Sequence, residues 1–343
     1  MRKSYSQALF WSAVVQVMVT APCLWAESIR ELAPSRVIEL VRPAASEEVP
    51  VVSSVALDPA GDLLVTAGDD HVVRIWDARQ GQVLRRLAAH TDWVQSAAFS
   101  PDGSTLATAG HDRRITLWAI TADRPLRTLP EHLGGISALV FTPDGRTLAA
   151  AGFEAKVWLY DRQTGELARV LDAPGGDIRA LACSPDGAHL AAAGRDGLIR
   201  IWELPSGRPV HDLEGHRRRV RALAYSPDGA RLASAGDERS ILIWDTSAGR
   251  LLKTLPARSG VVLSLTFCGP EKLAAGASDN VIRLWNLATS SEQFRLVGHT
   301  GSISALVWNP QAGVLVSGSF DTSVRFWQLG DSAIETISRR NGP

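Results

Sequence analysis

Residues 94–129 read VQSAAFSPDGSTLATAGHDRRITLWAITADRPLRTL, and this stretch divides into four strands and three turns. Val94 to Phe99 alternates as a first strand. Ser100, Pro101, Asp102 and Gly103 then supply a turn in which proline fixes φ at the second position and glycine takes the positive φ. Leu106 to Ala109 is a second strand of mostly small residues, Gly110, His111 and Asp112 turn the chain again, Ile115 to Trp118 is a third strand, and Leu126 to Leu129 a fourth. Four antiparallel strands in about forty residues predict one blade of a propeller.

The same unit returns along the chain. Aromatic residues fall at Trp76, Trp118, Tyr160, Trp202, Trp244, Trp285 and Trp327, with spacings of 42, 42, 42, 42, 41 and 42. Prolines at Pro59, Pro101, Pro143, Pro185 and Pro227 keep the 42-residue beat, and Pro310 follows after 83, two repeats less one residue. The residue is lost in repeat six, where Cys268, Gly269, Pro270, Glu271 and Lys272 form a shorter turn. A lone four-stranded sheet leaves both faces partly apolar, and seven sheets arranged radially bury each face against the next. The sequence therefore predicts an all-β, seven-bladed propeller. Small residues at Ala107, Ala149, Ala191 and Ala233 suit the narrow end of a wedge-shaped blade, and the recurring aromatic fills the wider part.

Outside the repeats, Met1, Arg2 and Lys3 followed by the apolar run Ala8 to Ala21 and by Leu24, Trp25 and Ala26 read as a signal peptide cut after Ala26. An uncleaved signal anchor is the alternative. The implied domains are a signal peptide at 1–26, an N-terminal segment with a ring-closing strand at 27–47, seven blades at 48–330 and a tail at 331–343. Arg36 to Val41 can supply the outer strand of the last blade, and Ala333 to Ile337 competes for that slot. The chain has 36 Lys+Arg against 36 Asp+Glu, and cleavage leaves 34 against 36. No positive field marks a nucleic-acid binder. Cys183 and Cys268 alone remain after cleavage, 85 residues apart, and are expected to act as small buried hydrophobes.

The units resemble the WD-repeat (tryptophan-aspartate) β-propeller family across residues 36 to 330. The dipeptide stands as Trp76-Asp77 and Trp244-Asp245, and is varied to Trp118-Ala119, Tyr160-Asp161, Trp202-Glu203, Trp285-Asn286 and Trp327-Gln328. The resemblance implies a hydrogen-bonded tetrad of His, Ser or Thr, Asp and Trp within a blade. Two sets are complete: His90, Thr108, Asp112 and Trp118, and His299, Ser317, Asp321 and Trp327. Repeat five has Glu238 beside His216, Ser234 and Trp244, and repeat one has Glu48 where the His would stand, with Thr66, Asp70 and Trp76. Repeats three, four and six carry Ala150, Ala192 and Ala275 at the hydroxyl position, which breaks the network and leaves apolar packing to hold those blades.

A His, a hydroxyl and an Asp also invite a nucleophilic-triad reading, but a triad is built once, in a cleft, whereas this trio recurs at one register. No catalytic residue is therefore assigned, and no cofactor or metal: the histidines lack ligand spacing and no phosphate-binding loop is present. Function then falls to a loop face. The resemblance implies partner docking at the loops before the first strand and between the second and third. By register these offer Trp93, Phe153, Arg195, Arg217, Arg218, Arg219 and Phe320 as partner-binding candidates. The expectation is an exported, monomeric, non-catalytic scaffold of the periplasm or cell envelope that binds another protein or peptide, no nucleic acid, and no membrane beyond a possible signal anchor. The alternative is a propeller enzyme or small-ligand binder using the central channel or one rim.

Overall fold

The computed structural model describes residues 29–40, 50–257 and 259–329. The signal-peptide stretch 1–26, Glu48 and the competing segment Ala333 to Ile337 lie outside the described residues. Seven sheets follow one another along the chain and form a seven-bladed propeller. Blade one comprises Val52–Leu57, Leu63–Gly68, Val73–Asp77 and Val83–Leu87, each strand pairing antiparallel with the next. First strands of neighbouring blades face one another right round the ring, blade seven against blade one included, so the first strand is innermost and lines the channel.

The core is a set of seams between blades. Each of seven apolar clusters joins one blade to its neighbour: Ala56, Val65 and Ile75 of blade one meet Val94, Leu106 and Trp118 of blade two, and the pattern repeats round to Trp76 with Val316 and Phe326. Small residues let the sheets approach, and Ala107, Ala149, Ala191 and Ala233 are all buried. Cys183 and Cys268 are both free, half-buried and buried respectively, and burial pushes each thiol up to about 12.

Among the described residues, blade seven takes three strands from its own stretch of chain, Ile303–Asn309, Val314–Ser319 and Ser323–Gln328. Its fourth is Arg36–Glu39, antiparallel to Ser323–Gln328. Arg36 also crosses the last seam: its guanidinium lies 3.7 Å from the Phe326 ring centroid and donates to the carbonyls of Ala78 and Arg79 in blade one. Blade six gains a fifth strand, Arg30–Leu32, parallel to Ser291–Leu296, a pairing with no periodic signal in three residues. Both additions cover an outer edge that would otherwise offer unpaired backbone groups.

Candidate functional site

In blade two His90 Nε2 lies 2.8 Å from Thr108 Oγ1, His90 Nδ1 2.8 Å from Asp112, and Trp118 Nε1 donates to Thr108 Oγ1 at 2.9 Å. Blade seven repeats this with His299, Ser317, Asp321 and Trp327 at 2.8, 2.7 and 2.9 Å. The chemistry fixes the direction of two of these three bonds. An indole N–H only donates, so the hydroxyl accepts from tryptophan, and an ionised carboxylate accepts from Nδ1; a neutral imidazole then accepts the hydroxyl O–H at Nε2. Burial lowers the pKa of the His299 imidazole, which favours that neutral form in blade seven. Thr108 and Ser317 are fully buried, so neither hydroxyl meets solvent or a substrate. In blade five Glu238 packs against His216 Nδ1, and Ser234 links His216 at 2.6 Å with Trp244 at 2.7 Å.

The blades lacking a complete set solve the problem differently. In blades one and six a buried arginine takes the histidine's role, Arg74 pairing with Asp70 and Arg283 with Asp279. Ala275 leaves Trp285 Nε1 without a partner. In blade three the expectation of a broken network is corrected. Tyr160 stands where the other blades have tryptophan, and its hydroxyl reaches His132 Nε2 directly at 2.9 Å, doing without the hydroxyl that Ala150 lacks. Burial pushes the Tyr160 phenol up to about 12, with the Glu154 carboxylate adding to the shift. Tyr160→Phe should therefore cost about 1–3 kcal/mol by orphaning His132. Tyr160→Trp combined with Ala150→Ser, which rebuilds the ordinary register, should recover most of the loss in urea unfolding.

At the channel, every innermost strand carries a bulge at its second residue. The register slips at Ser53, Gln95, Ser137, Arg179, Arg221, Leu263 and Ser304, and these side chains line the mouth. A bulge re-aims a side chain, here toward the axis. The bulge needs close backbone approach on the facing strand: a Cβ on Gly110 would sit 2.0 Å from the Trp93 carbonyl oxygen. That carbonyl accepts the His111 N–H at 2.9 Å, which fixes the Trp93 loop beside His111.

The mouth is a concavity of about 380 Å³. Of the candidates, Trp93, Phe153 and Phe320 converge there. The ring centroids of Phe320 and Trp93 lie 6.3 Å apart, Trp93 and His111 5.6 Å, and His111 and Phe153 5.4 Å, a continuous aromatic arc. Phe153 and Phe320 are 37% and 40% exposed, so their faces are open to a partner. Arg195, Arg217 and Arg218 are exposed and do not line the mouth, while Arg219 reaches Asp177 at 3.7 Å. Sequence reasoning missed Arg179 and Arg221. The two carried a signal: both occupy a slot, repeating every 42 residues, that holds no charge in the other five blades.

The sequence model of the WD domain, G-beta repeat, matches residues 45–77, 81–119, 123–161, 165–203, 207–245, 249–286 and 290–328. Each match after the first joins the outer strand of one blade to three strands of the next, which is why the last blade needs Arg36–Glu39. Similar proteins include the B-type cell cycle switch protein ccs52B of Medicago truncatula, 38% identical over 18% of this chain and 13% of that protein. The mitotic checkpoint protein bub-3 of Caenorhabditis elegans is 31% identical over 22% and 23% respectively. The ribosome biogenesis protein WDR12 homolog of Oryza sativa subsp. japonica is 40% identical over 21% and 18%. The chain thus spans less than a quarter of the length of these relatives. They correct the expectation of export to a periplasm or cell envelope: proteins named for the cell cycle, a mitotic checkpoint and ribosome biogenesis in eukaryotes point to processes inside the cell.

Proposed function

The chain belongs to the WD-repeat family, and from that membership we propose that it is a non-catalytic scaffold that binds another protein or peptide on the loop face around its channel mouth. One observation carries the reading. Trp93, Phe153 and Phe320, far apart in sequence, meet through His111 in one open arc. Aromatic side chains at the centre of a concave, polar-rimmed surface are the usual anchors of a protein interface. The relatives named for checkpoint and assembly processes are compatible with such a role.

The test is affinity capture from native extract with the intact ring and with a Trp93→Ala, Phe153→Ala, Phe320→Ala variant. The variant should lose the captured partner while its melting curve stays nearly unchanged, because all three rings stand outside the apolar clusters between blades. Undiminished capture would reject this face. A second reading, a small-ligand binder using the channel, is favoured by Arg179 and Arg221, which break the repeat at the axis.

A further inference from the structure

We infer that the channel mouth receives an acidic peptide segment in which a carboxylate side chain neighbours a large apolar one. The carboxylate bridges Arg179 and Arg221, and the apolar group lies on the aromatic arc. This rests on the reading of the mouth as the partner-binding face, and names the chemistry of what binds there.

Three of the seven axial slots hold serine, and each of these hydroxyls is already spent on the neighbouring blade: Ser53 donates to Val94 O, Ser137 to Ile178 O and Ser304 to Val52 O. Leu263 is apolar. Charge enters only through Arg179 and Arg221, in adjacent blades.

The local charge does not cancel. Three guanidiniums, Arg179, Arg219 and Arg221, share two carboxylates, Asp177 and Asp237. Arg221 is paired with Asp237. Asp177 is divided between Arg179 at 3.4 Å and Arg219 at 3.7 Å, both long for a charge-assisted bond, which is about 2.7–2.9 Å. Burial lowers the pKa of Arg179, Asp177 opposes that shift, and the positive charges of Arg219 and Arg221 lower it further. One positive charge is left over at a concave site, which favours an anion.

Aromatic faces also attract cations, but Arg179 already lies 4.2 Å from the Phe153 centroid and repels a second one. A free anion would leave the rings uncovered, so the occupant must bring apolar surface as well. A single surplus charge matches a carboxylate, whereas a phosphate dianion overshoots it.

The test uses the full chain and fluorescein-labelled synthetic peptides read by anisotropy: Gly-Ser-Glu-Phe-Glu-Ser-Gly, its Gln-for-Glu version, its Gly-for-Phe version and a phosphoserine version. The Glu-Phe peptide should bind at least tenfold tighter than the Gln version and the Gly version. Arg179→Gln with Arg221→Gln should erase the Glu-over-Gln preference, and Arg179→Lys with Arg221→Lys, which retains the charge, should keep most of it. Equal binding of Glu and Gln peptides overturns the inference while leaving the face as a partner surface if the triple alanine variant still loses its captured partner. A tenfold preference for phosphoserine, equal competition by glutarate alone, or by a single-stranded oligonucleotide, overturns it too. So does absence of binding by every peptide.

Discussion

Trp244→Ala should lower the unfolding free energy by about 3–5 kcal/mol, the range for truncating a fully buried large aromatic. Trp244 is 1% exposed and packs with Ala191, Ile201 and Leu213 of blade four as well as Leu232 of its own blade, so its loss opens the seam between two blades at once. The ring is also fitted from behind: a Cβ on Gly215 would come within 2.7 Å of Trp244 Cη2, so glycine makes the space the indole fills. Removing it deprives Ser234 of its N–H donor while Ser234 still has His216 to satisfy. Trp244→Phe, which restores much of the volume but not the donor, should recover part of the loss. Leu133, 87% exposed, should be neutral when changed to alanine. Urea unfolding of the three variants checks the order. A Trp244→Ala protein as stable as the parent would contradict the packing of the seams.

The ring could be read from residues because each blade states its own turns and its own aromatic at a fixed period. The number of blades, their antiparallel strands and the all-β class needed only counting. What counting could not provide was adjacency round a closed ring. Trp93 and Phe320 touch although blade one lies between their blades, and nothing in a linear sequence announces that loops of differing reach meet over the axis. Arg179 and Arg221 were hidden for another reason. In a regular strand the second residue alternates with its neighbours, and only the bulge turns it inward. Tyr160 looked like a lost tryptophan and Ala150 like a lost hydroxyl. Each explains the other once His132, which no motif reading singled out, is seen between the strands. Arg74 and Arg283 escaped notice because they arrive from the third strand, whereas a histidine comes from the loop before the first.

The fall in stability between neutral and mildly acid pH should be large and should come from buried histidines that stay neutral in the folded ring. Burial pushes the His216 imidazole down to about 4 and lowers His132 and His299 as well, Glu154 and Asp321 opposing the shift in the last two. A base whose pKa is lower in the folded state than its unfolded value of about 6.5 takes up its proton first in the unfolded chain. Unfolding is then favoured as pH falls through 6.5, and stability rises with pH across that window. For His216 alone, moving from pH 7.5 to pH 5 should cost about 2 kcal/mol, with His132 and His299 adding in the same direction. The carboxylates act lower down. Asp112 and Asp321 are held below the usual range because, although burial raises them, the bonds from His90 and His299 and from backbone N–H groups lower them further. Their contribution is present above about pH 4 and is lost only as pH falls through their folded values. The two windows are separable by urea unfolding from pH 7.5 to pH 3. His216→Gln should be less stable at pH 7.5 yet show a shallower slope between pH 7 and 5. The opposite slope, with stability growing as pH falls from 7.5 to 5, would mean that the tetrads hold imidazolium–carboxylate ion pairs, and the one-way chain of donors from indole to carboxylate would then be wrong.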